Sequence, residues 1–467
     1  MLCNKGRHKF LNLQFFLAQS MPESTNMTLY WVIYAIWSSI GIIWIISRTL
    51  TPTATWAWCG AMIISPPLAT LLYYLTAERV PTSAKAERWP SYSRIQNAIA
   101  NGCGAKVTMR NRVTPLHNAS NTFAMLIKDL QQAKREINIE YYILSNDKIA
   151  QTIFDILCRR ARAGVRVRII YDAIGSWGLK RQHLTKLFRS GVEIRPYGKP
   201  MFPYLTQAIH RRNHRRLVII DAQTIYLGGI NVASRYLDGG KQGFWRDEHI
   251  KIEGSVAQQA QDMFVADWVK CGGREFVPFQ SVGNIRNICP VQIAWAEEGK
   301  SRNTIKNLVM EAIASARHHI RICTPYFLPT DDILAALCCA AQAGINVELL
   351  VPLTADVKLT GAASESFIRH CARQGVKIYR YRNGFMHSKT ITIDDATTII
   401  GSANLDYRSL RYNMELSAVI YNRAITTNYI SRFYADVALS ESPNTLPTLN
   451  LWQQFKYGLA KLLAPIL

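Results

Sequence analysis

Acidic residues are scarce in this chain of 467 residues: 32 Asp+Glu stand against 55 Lys+Arg, for a formal net charge of +23. A surface that repels anions is thereby excluded, and the partners to expect are nucleic acid or phospholipid head groups. Cysteines number ten, yet none falls in a C-x-x-C pair and Cys59 sits inside an apolar run. A metal or disulfide framework is therefore not expected; the pattern fits reduced, mostly buried thiols in a reducing compartment such as a cytosol. The chain is not poor in apolar residues, which make up 49%, with aromatics at 10%, so disorder is excluded and two or three domains are expected.

Charge is missing altogether from two stretches. None occurs between Glu23 and Arg48, or from Thr49 to Ala77. Two transmembrane helices are predicted there, at 29–47 and 55–76, the second kinked by Pro66 and Pro67, after an N-terminal extension at 1–28 and before a linker at 78–109. Lys5, Arg7 and Lys9 precede the pair, Arg79, Lys85, Arg88 and Arg94 follow it, and the loop holds only Arg48. That asymmetry predicts both ends in the cytoplasm. Phe10–Ala18 has the position of a short signal sequence, but Asn12 and Gln14 interrupt its apolar core.

The remainder repeats itself. AKREINIEYYIL at 133–144 matches ARHHIRICTPYFL at 316–328, ARAGVRVRIIYD at 161–172 matches AQAGINVELLVP at 341–352, and SGVEIRPY at 190–197 matches QGVKIYRY at 374–381. Each copy alternates β-rich runs with helical stretches, so the expected fold class is α/β: a tandem duplication with mostly parallel sheets, with halves at 110–290 and 291–440. A tail at 441–467 places Trp452, Phe455, Leu459, Leu462, Leu463 and Ile466 at helical spacing. It is expected either to lie in a lipid interface or to pack on the body.

Near the end of each copy comes the chemistry. HRRLVIIDAQTIYLGGIN carries His214, Arg216, Asp221 and Asn231; HSKTITIDDATTIIGSAN carries His387, Lys389, Asp394 and Asn404. Residues two apart share a strand face, so each copy offers an imidazole beside a cation. The aspartates, seven positions on, fall on the opposite face and read as supports. One imidazole attacking phosphorus, a second protonating the leaving alcohol and two cations on the phosphoryl oxygens would form a complete site from two half-sites.

These residues are where the sequence resembles the phospholipase D superfamily, marked by a paired His-x-Lys-x4-Asp motif, and within it the bacterial cardiolipin synthases. The likeness includes RNHRR (212–216), FWRDEHIKIEG (244–254), CTPYFLP (323–329), NLDYRSLRYNME (404–415) and LAKLLAPIL (459–467). It implies a multi-pass enzyme of the bacterial inner membrane, its catalytic domain facing the cytoplasm. The reaction implied is transfer of a phosphatidyl group between two phosphatidylglycerol molecules among anionic membrane lipids, with glycerol released and without metal, cofactor or nucleic-acid partner. It further implies that His214 is the nucleophile, that Asp247 and Glu415 orient the imidazoles, and that Asn231 and Asn404 stand beside them. Arg216 departs from the pattern, occupying a position where the family usually has lysine. The alternatives are a membrane-bound phospholipase D or phosphatidylserine synthase with the same chemistry, a nuclease of the same superfamily, which gains little from a membrane hairpin, and an inactive scaffold. The upstream glycine of a nucleotide loop is missing before EEGKS (297–301), so no ATP site is expected.

Overall fold

A computed structural model describes residues 23–48, 52–76, 93–199, 211–280, 288–297, 303–441 and 446–467, with Ile285, Ser301 and Pro443. The extension before residue 23 and the basic residues Lys5, Arg7, Lys9, Arg79, Lys85 and Arg88 lie outside them. The chain divides into two compact units, Met1–Thr82 and Ser83–Leu467.

In the first unit the two charge-free runs form three helices, Glu23–Ile46, Pro52–Ile64 and Pro66–Thr76. One of them holds a stretch long and apolar enough to cross a bilayer by itself, Met27–Ile46, with a mean hydropathy of 1.9. The second expected span is broken at Ser65 rather than kinked. Pro66 and Pro67 have no N–H to return to the carbonyls of Met62 and Ile63, so the helix ends there. Those freed carbonyls are taken up by the first helix: Ser38 Oγ donates to Met62 O at 2.9 Å and the Tyr34 hydroxyl to Ile63 O at 2.6 Å. The proline pair thus leaves two carbonyls that side chains, rather than backbone N–H groups, satisfy.

The second unit contains both repeats. In chain order the first contributes β1 (Asn111–Leu116), β2 (Glu136–Tyr141), β3 (Arg166–Asp172), β4 (Glu193–Tyr197), β5 (Arg216–Ile220), β6 (Thr224–Gly228), β7 (Trp245–Arg246) and β8 (His249–Gly254). The second contributes β9 (Val291–Ala296), β10 (His319–Cys323), β11 (Phe327–Leu328), β12 (Asn346–Pro352), β13 (Lys377–Tyr381), β14 (Phe385–Met386), β15 (Thr390–Ile393), β16 (Thr397–Gly401), β17 (Leu405–Asp406), β18 (Glu415–Ile420) and β19 (Ser440–Glu441). The sheets run β1-β8-β6-β5-β2-β3-β4 and β19-β13-β12-β10-β15-β16-β18-β9, which makes the duplication visible strand for strand.

The sheets are mixed, which corrects the expectation of mostly parallel ones. Only β2-β3-β4 and β10-β12-β13 pair in parallel, through helical crossovers such as Lys148–Arg162; the other pairings within these two sheets are antiparallel. The reason is local: each motif strand turns straight back, β5 into β6 and β15 into β16, and so short a connection joins only antiparallel neighbours. Buried Val, Ile and Leu of these hairpins, among them Ile219, Ile225, Ile399 and Ile400, form much of the core. The expected linker at 78–109 also contains a helix, Arg94–Cys103, with a Ser93/Gln96 capping box and buried Ile95 and Ile99. Arg94 pairs with Glu311 of the second repeat at 2.7 Å.

Candidate active site

Period two decides where the motif side chains go. His214 and Arg216 share one face at the entry to β5, while Arg215 between them turns the other way, donating to Ala296 O at 2.9 Å and pairing with Asp267. His387 and Lys389 repeat this before β15. Both imidazoles line one cavity of about 330 Å³, with Arg216, Asn231 and Asn404 also on its wall. All four motif groups are buried, His214 the least so at 9% exposure.

Backbone pairing brings the orienting carboxylates across from the opposite repeat. Asn213 bridges Met414, and His214 N donates to Met414 O at 2.9 Å, so the next residue, Glu415, arrives beside His214. Equally, β14 pairs with β7 in parallel and His387 N donates to Arg246 O at 2.8 Å, so Asp247 arrives beside His387. The contacts are His214 Nδ1 to Glu415 Oε1 at 2.8 Å and His387 Nδ1 to Asp247 Oδ2 at 2.6 Å. Each imidazole is thus held through Nδ1 by a carboxylate from the other half, which leaves Nε2 as the nitrogen for chemistry. The sequence named both carboxylates without saying which served which ring.

The cations sit differently. Arg216 Nη2 lies 2.8 Å from His214 Nε2, and its Nη1 donates to the His214 carbonyl. Its Nε–H, buried, has no partner among the described residues. Lys389 Nζ instead approaches His387 Nδ1 at 2.9 Å and donates to the His387 carbonyl. Burial, with Arg216 adding to it, pulls the His214 imidazole down to about 4 against the pull of Glu415. His387 is drawn down to about 3 by burial and then by Lys389, and the Lys389 ammonium to about 7, again by burial first. Burial would raise the carboxylates, but Lys389 and His387 outweigh it at Asp247, and His214 at Glu415, so both lie below the usual range. The site thus draws the imidazoles toward their neutral form and the carboxylates toward their ionised one.

Asp221 and Asp394 are placed away from the imidazoles. Both take a left-handed backbone, φ 51° and 49°, at the turn after the motif strand. Asp221 accepts from the amides of Lys134, Arg135 and Glu136 at 2.9, 2.7 and 3.0 Å; Asp394 accepts from those of Arg317, His318 and His319 at 3.1, 2.8 and 2.9 Å. They tie the hairpin to the start of the neighbouring strand. Asn231 accepts from Ile143 N at 3.1 Å and donates to the Tyr236 hydroxyl at 2.7 Å, while Asn404 donates to Asp406 Oδ2 at 3.0 Å and finds no partner for its own Oδ1 among the described residues.

Four further cavity residues, Arg235, Arg408, Tyr142 and Tyr326, are not among those expected from the sequence, yet they occupy matching places in the two repeats: each arginine follows its motif histidine by 21 positions, and each tyrosine stands two before the matched Leu144 or Leu328. Tyr142 packs edge-on against the His214 ring, centroids 4.8 Å apart, and Tyr326 donates to Asp356 Oδ2 at 2.8 Å. The signal for the arginines is their spacing, because Asn-x3-Arg recurs after both motifs, from Asn231 to Arg235 and from Asn404 to Arg408.

Comparison with known proteins agrees with this geometry. A family model described as "Cardiolipin synthase, PLD-like domain" matches residues 126–268 and 309–437. "Cardiolipin synthase 2" of Bacillus anthracis is 38% identical over 346 residues, covering 73% of this chain and 67% of that protein. "Cardiolipin synthase 1" of the same organism is 29% identical over 471 residues, covering 91% and 92%. Among solved structures, a phosphatidylserine synthase of Haemophilus influenzae Rd KW20 shares the fold, with a TM-score of 0.62 at 14% identity over 80% of this chain and all of that one. Two matched PLD-like segments, each bearing its own histidine and cation, and relatives of this identity over most of the chain lead to one family: the chain belongs to the cardiolipin synthases of the PLD-like type.

Proposed function

We propose that the protein is a phosphatidyltransferase that joins two phosphatidylglycerol molecules into cardiolipin and releases glycerol. The observation that carries this reading is the pair of imidazoles facing one cavity, each fixed through Nδ1 by the other repeat's carboxylate. His214 Nε2 attacks the phosphorus of the first lipid; the P–N bond forms as the P–O bond to glycerol breaks, and the leaving oxygen takes a proton from Nε2 of His387. A hydroxyl of the second phosphatidylglycerol then gives its proton back to His387 and displaces His214, so the P–N bond is exchanged for a new P–O bond. Arg216 and Lys389 neutralise the phosphoryl oxygens in both steps.

With Nδ1–H of His387 held by Asp247, Nε2 takes up one proton from solvent as the phosphodiester anion binds, the anion raising its affinity for it, and this is the proton passed to the leaving oxygen. The same anion draws Arg216 off His214 Nε2, freeing the lone pair when there is something to attack. One phosphodiester is exchanged for another, so the reaction is nearly isoenergetic.

The apolar helix Met27–Ile46 supports membrane association. The broken helix pair at 52–64 and 66–76 is read as the return span, with both ends and the catalytic unit on the cytoplasmic side of the bacterial inner membrane, as the flanking basic residues indicate. The deciding experiment supplies the purified protein with phosphatidylglycerol as the sole phospholipid. Cardiolipin with stoichiometric glycerol is expected, and cardiolipin breakdown on adding glycerol. Phosphatidic acid as the main product would replace transfer by hydrolysis.

A further inference from the structure

The C-terminal helix Leu451–Leu462 is packed the wrong way round for a soluble protein. Asn450 and Gln453 form a capping box at its start, so its phase is well defined. At about 100° per residue, Leu451, Leu462, Phe455, Leu459, Trp452 and Leu463 occupy an arc of roughly 120°. That arc faces outward: Leu451 is 84% exposed, Trp452 70%, Phe455 60% and Leu462 74%. The face turned to the body carries Ala460, buried at 5%, with half-buried Gln453 and Tyr457. A helix that needed only to stabilise the fold would bury the apolar arc instead.

We propose that this outward arc is a seat for the surface of an anionic phospholipid bilayer, holding the mouth of the catalytic cavity against its lipid source; the proposal rests on the phosphatidyl-transfer reading above. Two observations favour a bilayer over other occupants. Lys456, next to Leu463 at one edge of the arc, meets anionic head groups as the apolar side chains enter the acyl boundary, while Lys461, beyond the other edge, rests its ammonium 5.0 Å from the Phe367 ring centroid. The seat is also continuous with the site. The helix packs along Lys358–Arg373, its Lys456 lines a neighbouring cavity of about 370 Å³ with exposed Leu353, and the chain beyond it ends with Leu467 on the wall of the catalytic cavity beside exposed Val357. A second copy of the chain would cover the apolar arc but leaves the flanking Lys456 without a counter-charge.

The test uses the full-length protein reconstituted in phosphatidylglycerol vesicles and, separately, given monomeric dihexanoyl-phosphatidylglycerol. Replacing Leu451, Phe455 and Leu462 together by serine is expected to lower the vesicle rate at least tenfold and leave the rate on the monomeric lipid within twofold. Bromine-labelled acyl chains are expected to quench wild-type tryptophan fluorescence more than that of Trp452→Phe, by the share due to Trp452. Equal quenching of the two proteins, or an unchanged vesicle rate, overturns the proposal. So does a parallel fall on both substrates, which makes the helix a support of the body, or a dimer lost in the serine variant, which makes a second copy the occupant. If Trp452 is quenched but neither lipid gives cardiolipin, the seat stands and the transferase reading fails.

Discussion

His214 is served by an arginine, a glutamate and, behind the glutamate, the hydroxyl of Ser402; His387 is served by a lysine and an aspartate, with Gly229 standing where the other repeat has that serine. The substitutions are coupled in space. A Cβ side chain at Gly229 would have no room, since its first carbon would already lie 2.2 Å from Asp247 Oδ1. The longer Glu415 leaves space for Ser402, whose hydroxyl helps keep that carboxylate ionised. Likewise the guanidinium reaches Nε2, the reactive nitrogen, while the shorter reach of the ammonium stays at Nδ1. Duplication has preserved the motif and let the two half-sites drift to different electrostatics. Arginine offers a planar fork where lysine offers a point charge, and burial draws the Lys389 ammonium down to about 7.

The largest effects test whether both half-sites are needed. His214→Ala and His387→Ala are each expected to lower kcat by about 10⁴-fold or more with the circular dichroism of the folded protein retained; near-normal turnover in either would end the two-half mechanism. Next come the crossed carboxylates, with a loss of about 10²–10⁴-fold for Glu415→Gln and Asp247→Asn. Here the pairing is the point: Glu415→Gln should add little on top of His214→Ala, and Asp247→Asn little on top of His387→Ala. Non-additivity in the uncrossed combinations instead would refute the assignment.

Arg216→Ala is expected to cost about 2–4 kcal/mol of transition-state stabilisation, roughly 10²–10³-fold in kcat/KM, while Arg216→Lys keeps or raises activity. A neutral alanine variant would mean that Lys389 suffices alone. The smallest effect is a pH limb. The protonated Lys389 binds phosphate and is lost as pH rises through its value of about 7, so kcat/KM should decline above that pH. In Lys389→Arg the decline should vanish, and its persistence would assign the limb to another group.

Much of this was legible in the sequence because it rests on periodicity. Matching segments exposed the duplication, alternation put His214 with Arg216 and His387 with Lys389, and the odd offset of Asp221 and Asp394 marked them as lying off the reacting face. What was illegible rests on contacts between distant segments. Nothing local to Asp247 tells that it serves His387, 140 positions away, because β7 and β14 are two residues long and have no pattern of their own. The hairpins that make the sheets mixed were hidden by the stronger crossover signal on either side. The Ser93 to Gln96 capping box is legible as Ser-x-x-Gln, and it starts a helix within the stretch expected as a linker.

The crossed carboxylates also bear on how the enzyme comes into being. A nascent chain that has emerged through β14 already displays His214, Arg216 and Asp247, yet lacks the glutamate that holds its first imidazole in one tautomer. A fragment stopping short of residue 415 therefore contains both histidines and still has only one of them set for work. The setting of the first imidazole therefore waits for β18, which is made only after both histidines have been synthesised.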